Sequence, residues 1–162
     1  SNDKLYQTSS LLAENWVLEN IIPNTKILFY GYYVSLPRLI DANPNEQAQY
    51  GEYFMYYRYK NEYLKQQFLK SHQNYIKSGE ITYDLVYNVN IVTGENENKS
   101  FYTRYEMGED EKYLLPVARQ MGIPYIITHY NLQKFPEFKD LLIWSSEDYD
   151  VIGGNVYIYK IL

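Results

Sequence analysis

Cysteine is absent from the 162-residue chain. That rules out a disulfide framework, a thiolate zinc site and a cysteine nucleophile, and leaves the compartment open. Basic residues are in the minority: 15 Lys and Arg against 20 Asp and Glu give a net charge of −5. No Lys/Arg cluster offsets that balance. A protein that tracks a nucleic-acid backbone needs a basic footprint to neutralise phosphates, so no nucleic-acid partner is expected. No run approaches the roughly 18–20 apolar residues that span a bilayer, and the N-terminus lacks the charged, apolar and small-residue zones of a signal peptide. As it stands the chain reads as soluble. It opens Ser1-Asn2 without Met, as expected of a piece of a longer reading frame or of a chain freed from a tag. No glycine-rich fingerprint or P-loop lysine follows any candidate strand, so no helix N-terminus is arranged to cradle a nucleotide phosphate. Histidine is limited to His72 and His129. His72 has no second ligand four residues on, which argues against a metal site. Neither a metal nor a cofactor is expected.

What the chain does hold is tyrosine: 21 Tyr against 6 Phe and 2 Trp. Two readings follow. Tyr can replace Phe at half-buried positions, where the ring packs and the hydroxyl reaches water or a backbone group. Exposed Tyr can instead build a stacking surface for sugars or a membrane interface. With 46% hydrophobic and 22% charged residues, the length fits one domain able to bury a core. Residues 1–162 are therefore read as a single domain.

Leu11, Leu12, Asn15, Trp16 and Leu18 carry a helical rhythm, which predicts a first helix ending before Pro23. A turn at Pro23-Asn24-Thr25 then leads into residues 26–30, a short apolar run stopped by Gly31 that suits a strand buried on both faces. From Tyr32 to Asn45 there are two prolines and no period, so a loop is expected at the carboxyl end of that strand, a place where function often sits. Residues 46–78 step apolar and aromatic side chains by three or four, which predicts one long helix or two collinear ones closed by Gly79. A strand is expected over 80–92, a polar hairpin tip or loop over 95–100, and a short returning strand over 101–105. Acids at Glu109, Asp110 and Glu111 mark a helix start, with Tyr113, Leu114, Val117 and Met121 inward up to Gly122 and Pro116 a kink or a late start. Residues 123–128 read as a second buried strand, 135–142 as a brief helix, Gly153-Gly154 as a turn and 155–162 as a last strand. The fold class is α/β: one three-layer domain with a mixed, mainly parallel sheet flanked by helices.

His129 ends the 125–128 strand, where reactive groups often lie, but no Ser or Cys elbow accompanies it. Glu147, Asp148 and Asp150 lack the ordered spacing of an EF-hand loop and read as a solvated turn. Asn98-Lys99-Ser100 matches a glycosylation acceptor, a triplet common by chance in an Asn-rich chain.

Four segments in order are similar to one family. Residues 12–27, Leu12-Ala13-Glu14-Asn15-Trp16 through Ile22-Pro23-Asn24-Thr25-Lys26-Ile27, resemble the helix, turn and strand that follow the last membrane span in bacterial and archaeal glycosyltransferases of the dolichyl-phosphate-mannose protein mannosyltransferase type (family 39-like, GT-C). Tyr30-Gly31-Tyr32-Tyr33-Val34-Ser35-Leu36-Pro37 resembles the tyrosine, glycine and Leu-Pro loop after that strand. Residues 118–128 resemble the family's helix-to-strand passage, and residues 153–161 its Ile-Tyr-Lys-Ile ending. The Tyr-rich stretch is not matched, and Tyr6-Gln7-Thr8-Ser9 stands where an acidic-Thr-Arg lead-in is usual. The resemblance implies a polytopic enzyme that moves a sugar from a lipid-phosphate donor, with this domain on the extracytoplasmic face of the membrane. Its partners would be the enzyme's own membrane-spanning part and a lipid-linked sugar or a glycan or protein acceptor. In such enzymes the catalytic acid lies in loops of the membrane portion, so no catalytic residue is carried over. The candidate ligand-binding residues are Tyr30, Tyr32, Tyr33 and Arg38 in the loop after the first strand, for acceptor or lipid-headgroup contact, together with His129.

Two other classes compete. A free-standing carbohydrate- or peptide-binding module would use exposed tyrosines as stacking platforms. A small hydrolase would pair His129 with an acid from residues 147–150.

Overall fold

A computed structural model describes residues 8–30, 36–43, 62–86, 89–90, 95–96 and 111–162. The first helix, α1, runs Ser9–Asn20 and starts at Thr8, whose hydroxyl accepts from the Leu11 amide. A Thr at this position satisfies one of the four orphan amides of a helix start. The buried row is Ser9, Ala13 and Val17, continued by Ile21. Leu11 and Leu18, which carry the apolar rhythm in the sequence, are 44% and 40% exposed. Small side chains face the sheet and allow close approach, while the larger ones ride the flanks.

Strand β1 (Lys26–Tyr30) follows and lies at the centre. The main sheet has the order β2-β3-β1-β6-β8-β7, where β2 is Ile40–Asp41, β3 Thr82–Val86, β6 Tyr125–Thr128, β7 Leu142–Ser145 and β8 Tyr157–Lys160. Strands β2, β3, β1 and β6 are parallel, and β8 runs antiparallel to both β6 and β7. A separate antiparallel pair joins β4 (Val89–Asn90) to β5 (Glu95–Asn96). Helix α2 is Glu62–Lys77 and helix α3 is Glu111–Gln120.

Alternation along β1 builds two cores. Ile27 and Phe29 join Ala13, Val17 and Ile21 of α1 with Tyr83, Leu85, Ile127 and Ile158. Leu28 and Tyr30 join Leu114, Leu115 and Ala118 of α3 with Ile126, Tyr157 and Tyr159. The result is helix, sheet, helix: the mixed, mainly parallel three-layer α/β arrangement. It explains why β1 reads as a continuous apolar run, since a strand covered on both faces has no solvent side.

Tyrosine is found both in the core and at the surface. Tyr30, Tyr83, Tyr157 and Tyr159 are buried, whereas Tyr63, Tyr75, Tyr113 and Tyr149 are 40–69% exposed. The Tyr83 hydroxyl donates toward the carbonyls of Val17 (3.2 Å) and Ile21 (3.1 Å), tying β3 to the last turn of α1. The Tyr159 hydroxyl accepts from the Leu132 amide at 2.8 Å.

Several local expectations change. Residues 135–142 do not form a helix: Leu132–Lys134 and Pro136–Phe138 are single 3-10 turns, and β7 starts at Leu142. Pro136 divides the stretch: it lacks an amide proton and holds Phe135 in the extended region (φ −94, ψ 122), so the turn at Leu132–Lys134 does not run on into Pro136–Phe138. The loop after β1 contains β2, which pairs with Thr82 and Tyr83 and is too short to leave a pattern. Glu95-Asn96, expected in a polar tip, pair with Val89 and Asn90. Tyr113, expected inward, is exposed. Pro116 lies inside α3. The expected helix over 46–78 is described from Glu62, its earlier part and the expected strand over 101–105 lying outside the described residues. Gly79 and Gly122 close α2 and α3 with φ of 76 and 71, left-handed values that favour glycine. No helix among the described residues is long and apolar enough to cross a membrane.

Candidate functional site

The chain leaves β1 toward β2 and β3 on one side and reaches β6 on the other, so β1 stands at a topological switch point. In open α/β sheets, ligands bind outside the carboxyl ends of the strands at such a point. Several elements converge on that edge. Thr128, the end of β6, is paired with Tyr157, the start of β8. The residues just before β8 meet the start of α1: Thr8 bridges Ile152, and the Ser9 amide donates to the Ile152 carbonyl at 3.1 Å. The Ser10 hydroxyl donates to the Leu36 carbonyl at 2.9 Å, bringing in the segment after β1.

Between these elements lies a cleft of about 570 Å³, lined by residues 8–11 and Glu14, by Arg38 and by residues 152–154. Its floor depends on glycine. Gly153 has a φ of 105, and a Cβ there would stand 3.3 Å from the Ser9 hydroxyl oxygen, which itself donates to the Gly154 carbonyl. Arg38 is exposed and Glu14 half-buried. Burial holds the Glu14 carboxyl above its ordinary range, and the Arg38 charge opposes that effect. No ion pair closes between the two.

The opposite face of the same edge is aromatic. Tyr30 is only 2% exposed, and its ring meets Tyr130 edge-on at 5.9 Å between centroids. His129 lies against Tyr130 at 3.8 Å, and the Thr128 hydroxyl accepts from the Tyr130 amide at 3.1 Å. Burial lowers the His129 pKa to about 4, so the imidazole is neutral at neutral pH. Nearby, the Tyr157 hydroxyl donates to the Glu147 carboxylate. Burial first, and then the Glu147 carboxylate, hold the Tyr157 phenol far above its ordinary range.

Of the residues singled out in the sequence, Tyr30 and His129 meet through Tyr130, with the Tyr30 ring in the core beneath α3. Arg38 lines the cleft on the α1 side. Tyr32 and Tyr33 lie outside the described residues. Glu14 and residues 152–154 had no signal as site residues, since a lone Glu on a helix and a Gly-Gly turn are common and their meeting is tertiary. Glu147, weighed as a hydrolase acid, receives the Tyr157 hydroxyl. Among the described residues no three His, Asp or Glu side chains group as a metal ion would need.

No protein family, curated protein or solved structure matches the chain.

Proposed function

We propose that this chain is an accessory, non-catalytic domain of an integral-membrane enzyme that transfers a sugar from a lipid-phosphate donor, held on the extracytoplasmic face. In this reading the cleft beside α1 contributes to recognition of the acceptor or the lipid headgroup.

The supporting observation is where the family-like segments fall. Residues 12–27 and 30–37 cover α1 from Leu12 onward, the two ends of β1 and the start of the next segment; residues 118–128 cover the end of α3 and β6; residues 153–161 cover β8. Strands β1, β6 and β8 are neighbours in the sheet. Segments far apart in sequence thus form one contiguous block, and the cleft is built from that block and the residues bordering it. The unmatched stretch contributes β2, α2 and β3 toward the other edge.

A free-standing module with tyrosine stacking platforms draws less support. Among the described residues the exposed tyrosines are Tyr63 and Tyr75 on α2, Tyr113 on α3 and Tyr149 after β7, not one row.

Fractionation of the product of the complete reading frame tests the proposal. The domain is expected in the membrane pellet after alkaline carbonate washing. Recovery of the full-length product in the soluble fraction would overturn it.

A further inference from the structure

The cleft beside α1 has a chemistry of its own. At a helix start the free amides usually favour an anion, but here two of the four, those of Ser9 and Leu11, are engaged. The Ser9 amide donates to the Ile152 carbonyl and the Leu11 amide to the Thr8 hydroxyl, each at 3.1 Å. The hydroxyl protons of Ser9 and Ser10 are committed to the carbonyls of Gly154 and Leu36. A hydroxyl that donates to a carbonyl has only lone pairs left to offer a ligand. Glu14 adds a carboxyl group, and Arg38 supplies the one cluster of side-chain donors in the described lining.

The described lining therefore sets its acceptors beside the Arg38 fork and the remaining Thr8 hydroxyl proton, and its opposite charges do not close on each other. An anion would gain Arg38 but face Glu14 and a set of lone pairs. A ligand carrying many hydroxyls can donate to the acceptors and receive from the guanidinium, whichever protonation state Glu14 holds. Leu11 and Ile152, 44% and 56% exposed, flank the polar centre and offer the aliphatic contact that the C–H face of a sugar ring uses. The volume of about 570 Å³ falls within the roughly 300–1,000 Å³ of small-molecule sites.

We propose that this cleft binds an uncharged polyol ring, a hexopyranose of a glycan, with Arg38 and Glu14 as its two principal polar contacts. The inference rests on the reading that this cleft is the domain's recognition site, and it selects the sugar over the phosphate of a lipid-linked donor.

The test is an NMR amide titration of the chain with a panel of neutral methyl hexopyranosides, with inorganic phosphate and ethylamine as competitors in class. At least one hexoside is expected to give saturable shifts, with a Kd in the millimolar range, confined to residues 8–14, 38 and 152–154. Hydrogen bonds to charged groups support an expected loss of about tenfold or more in affinity for Arg38→Ala and for Glu14→Ala. Both changes fall on surface-accessible side chains, and an exposed control, Lys77→Ala, should bind as the parent does. The inference is overturned if no hexoside saturates, if the shifts lie elsewhere, if neither variant weakens binding, or if phosphate or ethylamine binds saturably while the hexosides do not. A full-length product in the soluble fraction that still bound the hexoside would remove the membrane assignment and leave this inference standing. A membrane-anchored product whose cleft ignores sugars would do the reverse.

Discussion

Between neutral and acid pH, His129 takes up a proton in the unfolded chain well before it does so in the folded one. Burial lowers its pKa from 6.5 to about 4 in the fold. Through that window the unfolded state holds a proton that the folded state refuses, so stability rises with pH. The contribution is complete above about pH 6.5 and is lost as the pH falls toward 4. At roughly 1.4 kcal/mol per pH unit the full effect would be about 3 kcal/mol. The ring is only half-buried, and solvent screening reduces the expected effect to about 1–2 kcal/mol. Urea unfolding at about pH 7.5 and about pH 4.5, for the parent and for His129→Phe, isolates it. Phenylalanine keeps a ring against Tyr130 and removes the titration. Glu14 works in the opposite sense: its raised pKa stabilises the fold at low pH, and that contribution is lost as pH rises through its folded value. Being common to both proteins, it cancels in the comparison. The parent should lose about 1–2 kcal/mol more than His129→Phe on acidification. Equal losses, or an NMR titration of His129 at or above its ordinary value, would refute the reasoning.

Four further substitutions have outcomes set by hydrogen bonding and backbone conformation. Tyr159→Phe strands the buried Leu132 amide, which the hydroxyl receives at 2.8 Å. The cost should be about 1–3 kcal/mol, seen as a fall of about 2–10 °C in Tm. Tyr83→Phe removes the donor shared by the Val17 and Ile21 carbonyls, and should cost about 1 kcal/mol in urea unfolding. Amide exchange should also quicken in the last turn of α1. Gly122→Ala meets open space but a φ of 71, so it should cost about 1–2 kcal/mol from backbone strain alone. Gly154→Ala, with nothing within 4 Å and no positive φ, should stay within about 0.5 kcal/mol.

Strands β1 and β6 were legible because each is a short apolar run in the middle of the sheet, and β8, beside the edge strand, from Val156, Ile158 and Ile161 after the Gly153-Gly154 turn. Burial on both faces removes any need for polar alternation. The edges were harder. β2 is two residues long, below the length at which a period can be read. β7 carries a register irregularity between Leu142 and Trp144, and the apolar spacing of Phe135, Phe138 and Leu142 imitates a helix where the chain makes only the short turn Pro136–Phe138 before β7. In α1 the helix was legible and its inward face was not, because the sheet takes the small row and leaves Leu11 and Leu18 on the flanks. Arg38 stood out as a charge in a loop beyond a central strand. Glu14 did not, since only the fold of α1 against the segment after β1 brings the two together. Tyr30 looked available at the strand end, yet alternation along β1 sends its ring into the core beneath α3.

The absence of cysteine makes the central claim directly measurable. Gln73 is exposed on α2, and Gln73→Cys in the full-length protein, on a background otherwise free of reactive thiols, places one label site in this domain. If the domain is the extracytoplasmic part of a membrane enzyme, a membrane-impermeant maleimide should label that site in intact cells to the same extent as after lysis. Labelling only after lysis would contradict the account.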